Sequence, residues 1–326
     1  MKIRKTAFVR ILIDKYIPFL QGILDRFAEV CFLEPDEFTP AMVHDADALI
    51  VRTRTQCFPD LLKGSSVQFI ATATIGTDHI DKDYCRAHKI KVVSCPGCNS
   101  QAVCDYVEEA IMETLNVSAD IRELPSSPFF GQFSLGVVGA GHVGKKVARM
   151  AMNRGFHVVI NDPPLNLNGN VCGCDIITFH TPLTRKTEYP TYHLCNEKFL
   201  SKCRADALII NAARGGVVDE QALLKSGNPF IIDTWENEPN INHKVLDSAL
   251  LASFHIAGYS RNGKLNASRT CLHELCEHFG LPKLKIRQST LPEAGDSDYG
   301  WIKRISDKLK ANPQSFETLR KEYKLR

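Results

Sequence analysis

A chain of 326 residues exceeds what one hydrophobic core usually serves, and 44% apolar residues suits ordinary globular packing, so two or three domains are expected. A formal net charge of +3 gives no electrostatic case for nucleic acid or an anionic membrane as main partner, and the apolar runs are too short to span a bilayer. Arg10, Asp14 and Lys15 interrupt the first apolar stretch, which excludes a continuous secretion-signal core, so a cytoplasmic protein is expected.

In chain order, Val9 to Asp14 predicts a first strand, and apolar residues at helical spacing predict a helix from Pro18 to Phe27. Ala48 to Val51, Gln68 to Thr74 and Lys91 to Ser94 predict three more strands, which together argue a small parallel α/β domain. Pro96 and Gly97 break the pattern. A long amphipathic helix from Ala102 to Leu115 follows, suited to bridging two α/β units, and then a Pro-containing connection from Pro125 to Gln132. Strands are expected at Leu135 to Val138, His157 to Asn161, Asp175 to Phe179, Ala207 to Asn211, Phe230 to Asp233 and Leu251 to Phe254. Helices fit between most of them, notably Gly144 to Asn153 and Asp219 to Lys225, the repeated pattern of an open doubly wound sheet. The stretch from Asp162 to Asp175 is rich in Pro, Asn and Gly and should cross over without a helix. Helices are expected again at Asn266 to Phe279, ended by Pro282, and at Phe316 to Tyr323.

The twelve cysteines include Cys95-Pro96-Gly97-Cys98 and Cys172-Gly173-Cys174. The gap from Cys98 to Cys172 is too long for a zinc ribbon or finger, and the Cys95 motif does not open a helix after the first strand of a thioredoxin-like fold. Reduced cysteines and no metal are expected.

Gly139-Ala140-Gly141-His142-Val143-Gly144 follows an apolar strand and opens a helix. The first glycine permits the turn, the second lets backbone approach a pyrophosphate, and the third packs helix on strand; unpaired N–H groups at the helix start favour an anion. Asp162 ends the next strand, 18 positions after Gly144, where an acid accepts bonds from ribose hydroxyls and repels a 2′-phosphate, which favours NAD over NADP. Thr181, Ala212, Ala213 and Arg214 follow later strands and should line the same crevice. Asp233 ends another strand and either meets the nicotinamide end or caps a turn. His142 is expected to turn its ring to solvent and His180 to support the cofactor loop.

Three polar motifs lie downstream: Asn211-Ala212-Ala213-Arg214-Gly215, Asp233-Thr234-Trp235-Glu236-Asn237-Glu238-Pro239 and His255-Ile256-Ala257-Gly258-Tyr259. A cation, a carboxylate and an imidazole beside a dinucleotide suit hydride removal from a hydroxy acid. Arginine binds a carboxylate through two parallel bonds, histidine titrates near neutrality and so serves as base and acid, and a neighbouring carboxylate makes an imidazole more basic.

Through the glycine turn and these three motifs, most of the chain resembles the D-isomer-specific 2-hydroxyacid dehydrogenase family. The resemblance implies catalytic roles for Arg214, Glu238 and His255; Glu236 is an alternative acid, but the family places the working carboxylate five positions after the aspartate, at Glu238. Further stretches are most similar to a branch that acts on a small phosphorylated hydroxy acid: Val51-Arg52-Thr53-Arg54, the run from Ala71 to Asp81, Pro96-Gly97-Cys98-Asn99, Asn161-Asp162-Pro163-Pro164 and Thr178 to Pro182. That likeness implies NAD-dependent oxidation of 4-phospho-D-erythronate to its 2-oxo acid. Thr53, Thr74 and Tyr259 would contact substrate, and Asp162, Thr181, Asp233 and Gly258 would contact NAD. It also implies a Rossmann NAD-binding domain at 101–258, a discontinuous flavodoxin-like substrate domain at 1–100 and 259–281, and a homodimer through a shortened C-terminal region at 282–326. The crossover after Asp162 is shorter than the family's. Extra cations for a phosphate lie at Arg52, Arg54, Arg261 and Lys264, each of which taken alone reads as surface charge. Two alternatives are a dehydrogenase for another small acid, such as 3-phosphoglycerate or glyoxylate, and a non-catalytic NAD-sensing co-repressor; retention of all three polar residues argues against the second.

Overall fold

The structure is a computed structural model that describes residues 9–286 and 298–326. The chain divides into two compact units, Met1–Asn99 with Ser260–Glu293 and Ser100–Tyr259 with Ala294–Arg326.

In the first unit, strands β1 (Val9–Asp14), β2 (Ala28–Leu33), β3 (Ala48–Val51), β4 (Phe69–Thr72) and β5 (Lys91–Val93) pair in parallel in the order β2-β1-β3-β4-β5. This is the flavodoxin-like order. Both faces are covered, so β3 and β4 are buried along their whole length. Alternate residues supply two cores. Ile11, Ile13, Ile50 and Phe69 pack with Leu272 and Leu275 of the Arg261–Phe279 helix, whereas Leu12, Leu49, Val51 and Ile70 pack with Val43, Leu62 and Cys85. That helix ends at Gly280, in the left-handed conformation, two residues before the expected stop at Pro282.

The helix expected from Pro18 to Phe27 does not form; the segment is a series of turns. Phe19 at φ 71° and Gly22 at φ 73° leave the helical region, although Ile17, Leu20 and Leu24 still bury their side chains as a helix face would. Strand β2 was not anticipated. Its apolar run Val30-Cys31-Phe32-Leu33 is short and follows closely on the segment read as a helix, and it does not alternate.

In the second unit, β6 (Ser134–Val138), β7 (His157–Asp162), β8 (Leu167–Asn168), β9 (Ile176–Phe179), β10 (Leu208–Asn211), β11 (Phe230–Ile232) and β12 (Leu251–Ala252) lie in the order β12-β11-β10-β9-β6-β7-β8. All pairs are parallel except β7 with β8. Read from β6 this is the dinucleotide-fold order, with β6 between β7 and β9 at the point where the winding reverses. Between β7 and β9 the chain makes two short 3-10 turns and the two-residue β8, so the crossover is non-helical as expected.

The Ser100–Thr114 helix belongs to this unit, as does the C-terminal segment. An unanticipated helix, Trp301–Ala311, buries Trp301, Ile302, Ile305 and Leu309 in the same core. Its amphipathic pattern is clear, but it follows a polar stretch that offered no start signal. The Glu113 carboxylate accepts the Ile302 and Lys303 N–H groups at its start, at 3.1 and 2.9 Å, and Ser306 Oγ accepts the Ala252 N–H at 3.0 Å. Among the described residues no helix is long and apolar enough to cross a membrane.

Candidate active site

The glycine turn lies at the C-terminal end of β6. Gly139 has φ 93°, and a Cβ there would sit 2.9 Å from the His180 carbonyl carbon. A Cβ on Gly144 would lie 1.8 Å from the Gly139 oxygen, so only glycine lets the His142–Arg154 helix start this close to the strand. Gly141 precedes the helix and faces open space, with no side-chain cap on its N–H groups. Asp162 Oδ2 accepts the Ala140 N–H at 2.6 Å, so this acid buttresses the turn and leaves Oδ1 to other donors.

A cavity of about 540 Å³ opens beside this turn, lined among others by Val138, Gly139, Asp162, His180, Thr181 and Tyr189. That volume suits a dinucleotide half or a drug-sized ligand. Two buried polar atoms on its wall have no partner, Thr181 Oγ1 and His180 Nδ1. Burial pushes the His180 imidazole down to about 3, so it stays neutral, with Nε2 3.0 Å from Thr178 Oγ1. Orphaned groups facing a cavity call for a ligand that bonds them.

The second cluster is built by the loops after β10, β11 and β12. Asn211 ties the first two together: its amide donates to the Arg214 and Thr234 carbonyls, each at 3.2 Å, and its Oδ1 accepts the Ala213 N–H at 3.2 Å. A Cβ on Gly215 would lie 1.8 Å from the Trp235 oxygen, so the two loops touch backbone to backbone. Sequence reading assigned neither Asn211 nor Gly215 a role. The motif contained both, but only the fold shows that they lock two loops.

The Glu238 and His255 side chains meet directly, with His255 Nδ1 2.7 Å from Glu238 Oε2. Glu238 Oε1 accepts the Trp235 N–H at 2.9 Å. Burial acts to raise the Glu238 carboxyl, but the His255 bond and charge, the Trp235 N–H and nearby Arg320 outweigh it and hold the group below the usual carboxylate range. His255 itself has φ 59°, an unusual backbone state for a non-glycine residue. Glu236, the alternative acid, turns away to His193 Nε2 at 3.0 Å, and its N–H donates to Glu220 at 2.7 Å. Arg214 donates Nη1 to the Ala213 carbonyl at 2.8 Å, and its other donors remain for a ligand.

Asp233 is 1% exposed. Its oxygens accept Ser253 Oγ–H at 2.6 Å and the Ile256 and Ala257 N–H groups at 2.7 and 3.1 Å. In this structure it therefore acts as a turn cap, holding the loop that carries His255, Gly258 and Tyr259. Ala212 and Ala213 are buried in the turn before Arg214, and His142 and Val143 open the His142–Arg154 helix, with the His142 ring exposed.

Thr53 and Thr74 lie in the first unit, after β3 and β4. Thr53 is exposed; Thr74 Oγ1 shares a 2.6 Å bond with Thr72 and donates to the Gly76 carbonyl at 3.0 Å. Arg52 is not a free cation, since its Nε sits 3.0 Å from the fully buried Asp14 carboxylate.

Sequence reading also missed Arg320. It comes from the Phe316–Glu322 helix, donates Nε to Tyr259 Oη at 3.1 Å and places Nη1 3.9 Å from Glu238 Oε2. No spacing relation in the sequence connects a residue so late in the chain to Glu238.

Residues 127–257 match the family model described as D-isomer specific 2-hydroxyacid dehydrogenase, NAD binding domain. The erythronate-4-phosphate dehydrogenase of Bacteroides fragilis is 40% identical, covering 98% of this chain and 97% of that protein. The protein of the same name from Porphyromonas gingivalis is 39% identical, covering 97% and 92%. Among solved structures, NAD-bound 3-phosphoglycerate dehydrogenase of Entamoeba histolytica superposes with a TM-score of 0.67 at 24% identity over 86% of this chain and 99% of that one, a likeness of fold. The chain belongs to the D-isomer specific 2-hydroxyacid dehydrogenase family and, within it, to the group of the erythronate-4-phosphate dehydrogenases.

Proposed function

We propose that the chain oxidises 4-phospho-D-erythronate to (R)-3-hydroxy-2-oxo-4-phosphobutanoate with NAD, a step of pyridoxal phosphate formation. The observation that carries this reading is the His255–Glu238 pair, on loops at the carboxyl ends of a dinucleotide-fold sheet. The name of the near-full-length relatives supports the substrate.

The residues present fit NAD. The Gly139–Gly144 turn with His142 and Val143 would hold the pyrophosphate, Asp162 Oδ1 a ribose hydroxyl, and Thr181 Oγ1 would gain the partner it lacks. Ala212, Ala213, Arg214 and Gly258 would complete the nicotinamide side, with Asp233 acting through the His255 loop that it caps. Bound NAD supplies the hydride acceptor.

Glu238 holds Nδ1 of His255, which leaves Nε2 to take the substrate hydroxyl proton and return it in the reverse direction. The ionised Glu238 stabilises the imidazolium formed at that moment. Arg214 clamps the substrate carboxylate through its remaining donors and offsets charge on the oxygen at C2. Thr53, Thr74 and Tyr259 are the proposed substrate contacts. The same reading takes the chain as a cytoplasmic homodimer, paired through its C-terminal region; light scattering that finds only monomer refutes the pairing.

Thr181→Val should weaken NADH binding about fivefold, the value of one hydrogen bond, without lowering Tm, because the hydroxyl has no partner inside the protein. Unchanged affinity in a fluorescence titration counts against the cofactor placement. The activity itself is tested by NADH absorbance with 4-phosphoerythronate, 3-phosphoglycerate, glycerate and lactate, each also run from the oxo acid with NADH. Preference for the phosphoerythronate pair is expected; preference for another acid overturns the substrate and keeps the chemistry. Silence in both directions with NADH bound overturns the enzyme reading.

A further inference from the structure

The C-terminal helix packs on the loop that bears His255. The Tyr323 ring lies 6.1 Å from Phe254 and 6.5 Å from Tyr259, centroid to centroid. Arg326 donates to the Ala257 carbonyl at 2.8 Å and stacks over Trp301 at 4.1 Å. Arg320 reaches furthest. Its Nε donates to Tyr259 Oη at 3.1 Å, its guanidinium lies 5.7 Å from the centre of that ring, and Nη1 is 3.9 Å from Glu238 Oε2. That oxygen is the same one His255 Nδ1 approaches at 2.7 Å. One carboxylate oxygen thus faces an imidazole on one side and a permanent cation on the other.

We propose that Arg320 is a positioning residue of this active site, which joins the C-terminal helix to Glu238 and Tyr259 and sets the charge balance and orientation of the His255–Glu238 pair. The proposal rests on the dehydrogenase reading for its kinetic consequence, though not for its electrostatics. The C-terminal segment then completes the site within its own chain, whatever further part it plays in pairing subunits.

The physical reason is simple. A guanidinium cannot lose its charge near neutrality, so it favours the carboxylate form of Glu238 and opposes a second positive charge on the neighbouring ring. Removing it makes the pair bind a proton more readily. The groups that face the pair are few. Glu220 comes from the Glu220–Ser226 helix, Tyr259 from the His255 loop, and Arg320 with Glu317 from the C-terminal helix, whereas Glu236 on the loop after β11 is turned to His193 and Asp233 at the end of β11 is held by backbone N–H groups. Glu317 lies 3.5 Å from Arg320 Nη1 and so offsets part of its charge. Arg320 acts on Glu238 as a cation that stays charged whatever the state of the ring.

The test compares the full-length protein with Arg320→Gln, which keeps a donor for Tyr259, and Arg320→Lys, which keeps the charge. The protonation midpoint of the pair is followed by NMR at the His255 ring proton, identified by its loss in His255→Gln. With Gln the midpoint should rise by about one unit, and with Lys it should return most of the way. In the oxidation direction the limb of kcat that rises with pH should move upward by the same amount in Gln, costing about tenfold at a pH below the midpoint. Lys should restore that limb yet keep a raised KM, because one ammonium cannot hold Tyr259 and Glu238 in the same geometry. A midpoint and pH profile unchanged in Gln, with only a lower Tm, overturns the proposal and leaves Arg320 a structural residue. A shifted midpoint with no turnover of any hydroxy acid by the wild type upholds the electrostatic role and sinks the dehydrogenase reading instead.

Discussion

Replacing His255 with alanine should lower kcat for hydroxy-acid oxidation by about a thousandfold while NADH still binds. The ring is the only group on the His255–Tyr259 loop able to take a proton from a hydroxyl near neutrality, and its contact with Glu238 fixes which nitrogen is available. Glu238→Gln should cost about a hundredfold, less than loss of the ring, because an amide can still bond Nδ1 but no longer offsets the imidazolium charge. Glu238 is held below the usual carboxylate range, so it remains ionised across the neutral region, and the rise of rate with pH reports proton acceptance by the pair. In the Gln variant that rise should move to lower pH, since the positive ring has lost its counter-charge. Stopped-flow absorbance separates the hydride step from cofactor release. A His255→Ala protein with wild-type single-turnover rate would remove the residue from the mechanism. Glu236→Gln serves as the contrast: its carboxylate is engaged with His193 and the Glu220 N–H, so it should affect stability more than rate.

Gly144→Ala is the second large effect. Its Cβ would lie 1.8 Å from the Gly139 oxygen, closer than any real contact, and backbone rather than a flexible side chain must give way. The helix start must then shift away from β6. Overpacking of this kind costs about 1–3 kcal/mol of stability, read as a lower Tm, and the cofactor loses the aligned N–H groups at the turn, with at least about tenfold weaker NADH binding. Gly141→Ala separates the two effects. A Cβ there meets nothing within the protein, so Tm should hold, while the added methyl stands where a pyrophosphate would approach. Weaker NADH binding at unchanged Tm is the expected result. Wild-type affinity in Gly141→Ala would mean the pyrophosphate does not use this turn.

The dinucleotide unit was legible in the sequence because its signals are local. The glycines of the turn, the aspartate ending β7 and the apolar run of each strand lie within a few residues of the element they mark. The first unit was less legible at its edge. Pro18 to Phe27 has helical spacing, yet Phe19 and Gly22 adopt left-handed backbone, and tertiary burial of Ile17, Leu20 and Leu24 keeps the apolar residues inside without a helix. β2 is an edge strand whose short apolar run, Val30 to Leu33, follows closely on that segment and does not alternate.

At the active site the division is sharper. Residue types and spacing marked Arg214, a carboxylate at Glu236 or Glu238, and His255 on successive loops, because a doubly wound sheet delivers the end of every strand to one edge, and the family resemblance preferred Glu238. The tertiary structure added the contact that separates them, since the two side chains leave the same loop in different directions. It alone showed Asp233 as the cap of the His255 loop, Asn211 as the tie between two loops, and Arg320 beside Glu238 from more than eighty residues away in the chain. Sequence determines which chemistry a segment can bring and which period it folds with. Which oxygen faces which nitrogen depends on contacts between distant segments, and those carry no local pattern to read.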